Sequence, residues 1–290
     1  VFVPKDGPTP FSGLVESLVA TNTPYELLDA KEVKKRWPQF DIPDSVEAVY
    51  TADSGIAHAA KTVSAMQFLA RSKGAVLYED TRVDRVVPGP SGTEILTSNG
   101  RFRAAKVILT TDAWTNKLLA PLGVHIPLSV MQEQVTYFKP TDPSAFESKK
   151  FPLWIWASDP GFYGFPSFVG PTIKAGRDTS NNFMTPEQRT YVHSPQLLEQ
   201  LSSFMGNFIP QKGESLRTVT CQYCITPDRQ FIISPLESHP DIILGLGAGH
   251  AFKFAPAIGR VLAELAIDGN TEEDISKFGL PKTTTSSSKI

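Results

Sequence analysis

The sequence predicts an α/β domain joined to an α+β domain with an antiparallel sheet, each assembled from separated stretches of chain. Three observations predict it. A helix pattern followed by a strand pattern over 59–80 gives an α/β texture. From about 127 to 227, aromatic and β-branched segments separated by turn residues replace it. After 228 a strand, a glycine-rich turn and a helix return. The chain has 290 residues, 41% of them hydrophobic, which suffices for two cores. The expected boundaries are 1–54 with 127–227 for the antiparallel-sheet domain and 55–126 with 228–280 for the α/β domain. The Thr/Ser-rich 281–290 is expected to be a disordered tail.

In chain order, "DAKEVKKRWPQF" reads as a short helix capped by Asp29 and stopped by Pro38. "AAKTVSAMQFLARSKG" reads as a helix with Val63, Met66 and Ala70 on one face, ended by Gly74. "AVLYED" (75–80) follows as a strand, and "TEILTSNGRFRA" as a hairpin about Asn99-Gly100. "KVILTT" (106–111) is a short apolar run, expected to be buried on both faces, and "DAWTNKLLAPLG" opens a helix after it. "LSVMQEQVTYFKP", "FPLWIWAS", "GFYGFPSF" and "TIKAG" supply the antiparallel sheet. "SPQLLEQLSSFMGNFIP" is a helix with Leu197, Leu198, Leu201, Phe204 and Met205 inward, a core stripe. "DIILGLG", "AGHAFKF" and "APAIGRVLAELAIDG" give strand, turn and a helix ending at Gly269.

Net charge is −2, and no basic cluster exceeds "KEVKKR" at 31–36, a run that fits the solvated face of a short helix, so nucleic acid is not an expected partner. No apolar stretch approaches the roughly 20 residues that span a bilayer. The first residues, "VFVPKDG" without Met, suggest a fragment. The only cysteines, Cys221 and Cys224, stand as C-x-x-C. That spacing serves redox dithiols and half of many zinc sites. Neither reading is well supported. The five histidines form no close-spaced pair, so no metal is expected, and in a strand the two thiols face opposite sides. "GLGAGHAF", between a strand and a helix, would let backbone N–H groups approach a cofactor, although it is not a good G-x-G-x-x-G.

"TCQYCITPDRQFIIS…HPDIILGLGAGHAFKFAPAIGRVLAELAIDGNTEEDISKF" resembles the C-terminal part of the monomeric sarcosine oxidase family, with its N-methyltryptophan and pipecolate oxidase relatives. "KRWPQFDIP", "DSGI", "TRVDRV", "DAWTNKLL", "IPL" and "YGFPSF" extend the resemblance upstream. It implies an FAD-binding α/β domain and a substrate domain. It also implies oxidation of a secondary or N-alkyl amino acid by hydride transfer to flavin, with oxygen as acceptor. Cys221 would tether FAD covalently, leaving Cys224 a bystander. Gly247, Gly249, His250, Trp114 and Val83 would contact FAD. Tyr163 and Tyr223 would lie beside the substrate, although each fits equally as a core aromatic. Lys174 would promote oxygen reduction and Lys253 would pair with the substrate carboxylate. A surface lysine is the plain alternative for both. The complete protein is expected to be a monomer, peroxisomal through Ser288-Lys289-Ile290 or else cytoplasmic.

The chain departs from the family pattern in several places. The first βαβ unit, its glycine fingerprint and a substrate-holding arginine are absent. Asp112 stands where relatives have glycine, Asp178 stands where sarcosine oxidases have histidine, and the glycine loop is one residue short. The competing expectations are a cofactor-free truncated remnant serving as an interaction module, and a dithiol or metal protein acting through the two cysteines.

Overall fold

The computed structural model describes residues 1–5, 7–8 and 10–281. The tail expected at 281–290, with its Ser288-Lys289-Ile290 address, lies outside the described residues apart from Pro281. In order, the elements are β1 (Phe2–Val3), α1 (Phe11–Ala20), β2 (Glu26–Leu28), α2 (Ala30–Arg36), β3 (Glu47–Tyr50), α3 (Ala59–Ser72), β4 (Val83–Val87), β5 (Thr93–Thr97), β6 (Gly100–Ala104), β7 (Val107–Leu109) and α4 (Thr115–Leu119). They continue with β8 (Ser129–Lys139), β9 (Trp154–Trp156), β10 (Gly161–Phe165), β11 (Ile173–Asp178), α5 (Pro195–Phe208), β12 (Glu214–Ile225), β13 (Ile232–Leu236), β14 (His239–Leu246) and α6 (Ala255–Ile267).

The chain divides into two compact units. The first comprises Val1–Ile56, Gln132–Asn182 and Arg189–Cys221, and the second comprises Ala57–Met131, Phe183–Gln188 and Gln222–Ile290. This division departs from the sequence boundaries most at 183–188 and 222–227, which belong to the second unit.

The first unit is built on an eight-stranded sheet in the order β12-β8-β11-β10-β9-β1-β3-β2. Its pairings β2 with β3, β3 with β1, β9 with β10, β10 with β11 and β11 with β8 are antiparallel, whereas β1 and β9 run parallel. Side chains alternate across a strand, so one face carries Phe138, Phe162, Ile173, Ala175 and Trp154 into the core. There they meet Leu201, Met205 and Phe208 of α5. The Phe208 ring packs at 4.8–5.2 Å from those of Phe2, Phe40, Trp154, Trp156 and Phe204. Burying such a ring is worth about 1.5–3 kcal/mol. At α2, Asp29 accepts from the Glu32 N–H at 2.7 Å, as expected of an N-cap. Helix α5 is capped in the same way by Ser194.

In the second unit β13, β14 and β7 form one sheet, with β14 and β7 parallel. Leu109, Leu118, Leu119, Ile126, Ile232, Ile242, Leu244 and Leu246 pack together, whereas Ile233 and Ile243 meet Val261, Leu262 and Leu265 of α6. A second sheet has the order β4-β5-β6.

Three sequence expectations are corrected here. Residues 75–80 are not a strand. Among the described residues no strand pairs with them, and Val76 and Tyr78 are exposed. Helix α3 forms as expected, with no residue buried. β7 is an edge strand, so Leu109 is buried while Ile108 remains 39% exposed. The hairpin turn is Ser98-Asn99, because Thr97 pairs with Gly100, whose φ of +140° only glycine adopts readily.

Candidate active site

The face of the eight-stranded sheet opposite its core is organised in cross-strand rows. Phe165 pairs with Lys174 and Lys174 with Tyr137, while Tyr163 pairs with Gly176 and Gly176 with Val135. On the outermost strand, Arg217 stacks over the Tyr137 ring at 4.3 Å, and Thr218 bonds Thr136 on the core side. Those contacts make β12 antiparallel to β8. Continuing the alternation puts Val219 and Cys221 on the same face as Tyr163 and Lys174. Three of the sequence-based site residues, Tyr163, Lys174 and Cys221, are thus brought onto one surface.

Two features of this surface explain its shape. A Cβ on Gly176 would come 2.8 Å from the Tyr163 hydroxyl oxygen, so the glycine lets the phenol lie flat across β11. The Lys174 ammonium sits 4.3 Å above the Phe165 ring. Burial pulls its pKa below the ordinary lysine value, with the Cys221 side chain opposing that shift.

Burial likewise pushes the Cys221 thiol up to about 11; Glu133 adds to this, and Arg189 and Lys174 oppose it. Glu133 is buried and accepts the Ser180 N–H with both oxygens, at 2.8 and 3.1 Å. Arg189 donates to the Thr220 carbonyl at 2.9 Å and stacks on Tyr191. On the other face of β8, the Gln132 and Gln134 amides bind the backbone of 190–194 and hold that segment against the sheet.

In the second unit, Gly247 and Gly249 form the tight turn leading from β14 toward α6. Gly249 has φ +82°, and a Cβ there would reach 2.8 Å from Ile225 and 3.2 Å from the Tyr223 ring. Tyr223 meets His250 edge-on at 5.2 Å. Arg229 lies 2.9 Å from His250 Nε2; arginine only donates, so Nε2 accepts. The exposed Lys253 donates to the His250 carbonyl at 3.2 Å. Tyr223, Gly247, Gly249, His250 and Lys253 therefore form a second cluster. Trp114 stands in the 112–114 turn after β7, and Val83 lies on β4, outside both clusters.

Asp112 occupies a left-handed backbone conformation, φ +45°, which suits the glycine the sequence comparison expected there. Burial raises its carboxyl pKa, opposed by bonds from the Ala113 N–H and the Cys224 side chain. Cys224 is itself pushed up to about 12 by burial and by Asp112. The thiols face opposite sides of β12, as expected, and both are free. Among the described residues no three His, Cys, Asp or Glu side chains cluster as metal ligands.

Sequence reasoning missed Gly176, Glu133, Arg189 and the Arg229–His250 pair. A glycine inside a strand is itself a signal of close approach, so Gly176 was within reach. Glu133 gave no signal, because "QEQ" reads as an ordinary polar stretch.

The donor set fits a flavin cofactor. On the first unit a thiol, an ammonium and a phenol share one open face, and on the second a glycine turn leaves no room for side chains. Of the carboxyls near these groups, Glu133 is engaged by the Ser180 N–H and Asp112 by Ala113 and Cys224.

The FAD dependent oxidoreductase (DAO) family model matches residues 10–265. Monomeric sarcosine oxidase from Bacillus sp. (strain B-0618) is 32% identical over 285 residues, covering 97% of this chain and 73% of the relative. Human peroxisomal sarcosine oxidase is 29% identical over 269 residues, covering 89% and 68%. Among solved structures, the open form of NikD, an amino acid oxidase of nikkomycin biosynthesis, superposes with TM-score 0.83 at 28% identity, covering 96% of this chain and 75% of that one. The chain belongs to the FAD dependent oxidoreductase family, among the sarcosine oxidase-like amine oxidoreductases.

Proposed function

We propose that this protein oxidises a secondary or N-alkyl amino acid, of which sarcosine is the simplest, to the imine. The observation that carries the reading is the common face of Tyr163, Lys174 and Cys221, in a chain of this family. FAD, when bound, supplies the acceptor for a hydride from the carbon beside the amine nitrogen and passes the electrons to oxygen, giving hydrogen peroxide. The second unit would serve FAD binding, with Gly247, Gly249, His250, Trp114 and Val83 contacting the cofactor. The first unit would serve as the substrate domain.

Each side chain has a role that follows from its chemistry. The Cys221 sulfur anchors the cofactor as a thioether. That attachment would be a net two-electron oxidation, with oxygen as the oxidant and the thiol giving up its proton. The Lys174 ammonium, partly shielded from water, stabilises negative charge developing on oxygen. Lys253 offers a charge-assisted hydrogen bond to the substrate carboxylate. Tyr163, on the same face as Lys174, bounds the amine. The protein acts as a monomer, and its similarity to human peroxisomal sarcosine oxidase supports a peroxisomal location.

The test is a visible spectrum of the purified protein before and after denaturation, together with peroxide release from sarcosine, N-methyl amino acids, pipecolate and primary amino acids. A flavin spectrum that stays with the denatured chain, and peroxide from the N-alkyl substrates, are expected. A colourless chain after incubation with FAD, or peroxide from primary amino acids alone, would overturn the reading.

A further inference from the structure

Thr136 bonds Thr218, and Tyr137 stacks on Arg217, which sets the register of β8 against β12. Carried along the two strands, that register brings Glu133 directly opposite Cys221. Such cross-strand neighbours have Cβ atoms about 4.5–5.5 Å apart. The pairing of Gly176 with Val135, carried along β11, puts Asp178 on the other side of Glu133.

We propose that Glu133 is a positioning residue that controls the reactivity of Cys221: its carboxylate, fixed beside the sulfur, holds the thiol protonated and slows its reaction with electrophiles. The meaning of this for cofactor attachment rests on the reading of Cys221 as the flavin anchor, whereas the thiol chemistry does not.

Three observations support it. The Ser180 N–H spans both oxygens of Glu133, which fixes the carboxyl in one orientation and favours its ionised form against the burial that raises its pKa. Glu133 is 3% exposed, so water screens its charge poorly. The other charged groups facing Cys221 are accounted for. Lys174 on β11 and Arg189, anchored on Thr220, favour the thiolate, whereas Asp178 acts on Glu133 itself, raising its pKa against the lowering by Arg177. Arg217 lies four residues back along β12 and is exposed. Glu133 thus opposes the two cations, and the balance among these groups decides how much thiolate exists at a given pH. The thiolate is the reactive form.

The test compares iodoacetamide alkylation of Cys221 between pH 7 and 11 in the whole chain, Glu133→Gln and Glu133→Asp. Fragment-ion mass spectrometry distinguishes Cys221 from Cys224. Gln keeps an acceptor for the Ser180 N–H but removes the charge, whereas Asp keeps the charge. Removing this nearby like charge favours the thiolate, so Glu133→Gln should react roughly 3- to 10-fold faster at pH 8.5, with its midpoint moved to lower pH. Glu133→Asp should stay near the parent rate. Equal acceleration in both variants would mean loosened packing and would overturn the proposal. So would no acceleration in Glu133→Gln. Intact mass after incubation with FAD is read separately: absence of a flavin adduct on Cys221 counts against the anchor reading and leaves the alkylation result standing.

Discussion

Replacing Gly176 with alanine tests whether the open face is built as described. A Cβ at this position would come 2.8, 2.9 and 3.1 Å from the hydroxyl oxygen, Cζ and Cε1 of Tyr163. Those are closer than real Cβ contacts, so the phenol must swing away. The φ of Gly176 is not left-handed, so alanine carries no backbone strain. Two terms therefore compete. Overpacking costs about 1–3 kcal/mol. Restricting the unfolded chain returns about 0.4–1 kcal/mol. With Tyr163 present the substitution should destabilise the protein, by roughly 0.5–2 kcal/mol after the two terms partly offset. In a Tyr163→Ala background the clash is gone, and the same substitution should be neutral or stabilising by about 0.4–1 kcal/mol. The sign reverses, and the coupling between the two positions is about 1–3 kcal/mol. Urea unfolding followed by tryptophan fluorescence reads this, because Trp37, Trp154 and Trp156 all lie in the first unit. If Gly176→Ala costs the same in both backgrounds, Tyr163 does not lie across the glycine, and the phenol is not presented on the face with Lys174 and Cys221.

Four further outcomes are expected. Phe208→Ala removes the ring that joins five other aromatic residues and should cost about 3–5 kcal/mol in urea unfolding; a loss below 1 kcal/mol would contradict the packing. Asp112→Gly relieves a left-handed backbone worth about 1–2 kcal/mol. Because burial raises the Asp112 pKa in the folded state, its contribution is most favourable below the unfolded value and is lost as pH rises through the folded one. The gain from Asp112→Gly should therefore be larger at pH 7.5 than at pH 4.5 by calorimetry, and equal gains would refute the assignment. Lys174→Met should slow flavin reoxidation by oxygen while leaving reduction by the amine nearly unchanged. Lys253→Met should weaken amino-acid binding by roughly 10- to 150-fold, the equivalent of about 1.5–3 kcal/mol. Rapid mixing of the two half-reactions separates the lysines, and an exchange of their effects would refute both roles.

Much of this was legible in local chemistry. Asp29 announced a cap because a carboxylate before an apolar-periodic run has an N–H to accept, and it does so from Glu32. The opposite facing of Cys221 and Cys224 followed from strand alternation alone. What failed was what depends on neighbours distant in sequence. Residues 75–80 carry strand propensity, but propensity makes no strand without a partner. Glu133 was illegible for the same reason. Its place opposite Cys221 comes from the pairing of strands about eighty residues apart, as in the Thr136–Thr218 contact, and nothing in "QEQ" records that pairing.

Strand β1 has only two residues, yet it is the link between β3 and β9 in the large sheet. Phe2 pairs with Ala48 on one side and with Trp156, 154 residues later, on the other. During synthesis at about 5–20 residues per second, Phe2 therefore waits about 8–30 s for its second neighbour to be made. Throughout that interval the edge that β9 will occupy is open to other chains, as is the half-built aromatic cluster around Phe40. Yield in the cell should therefore depend on translation speed and on chaperones that shield this early segment, more than on the stability of the finished fold. Slower elongation through 57–131, which adds nothing to the first unit, would lengthen the exposure.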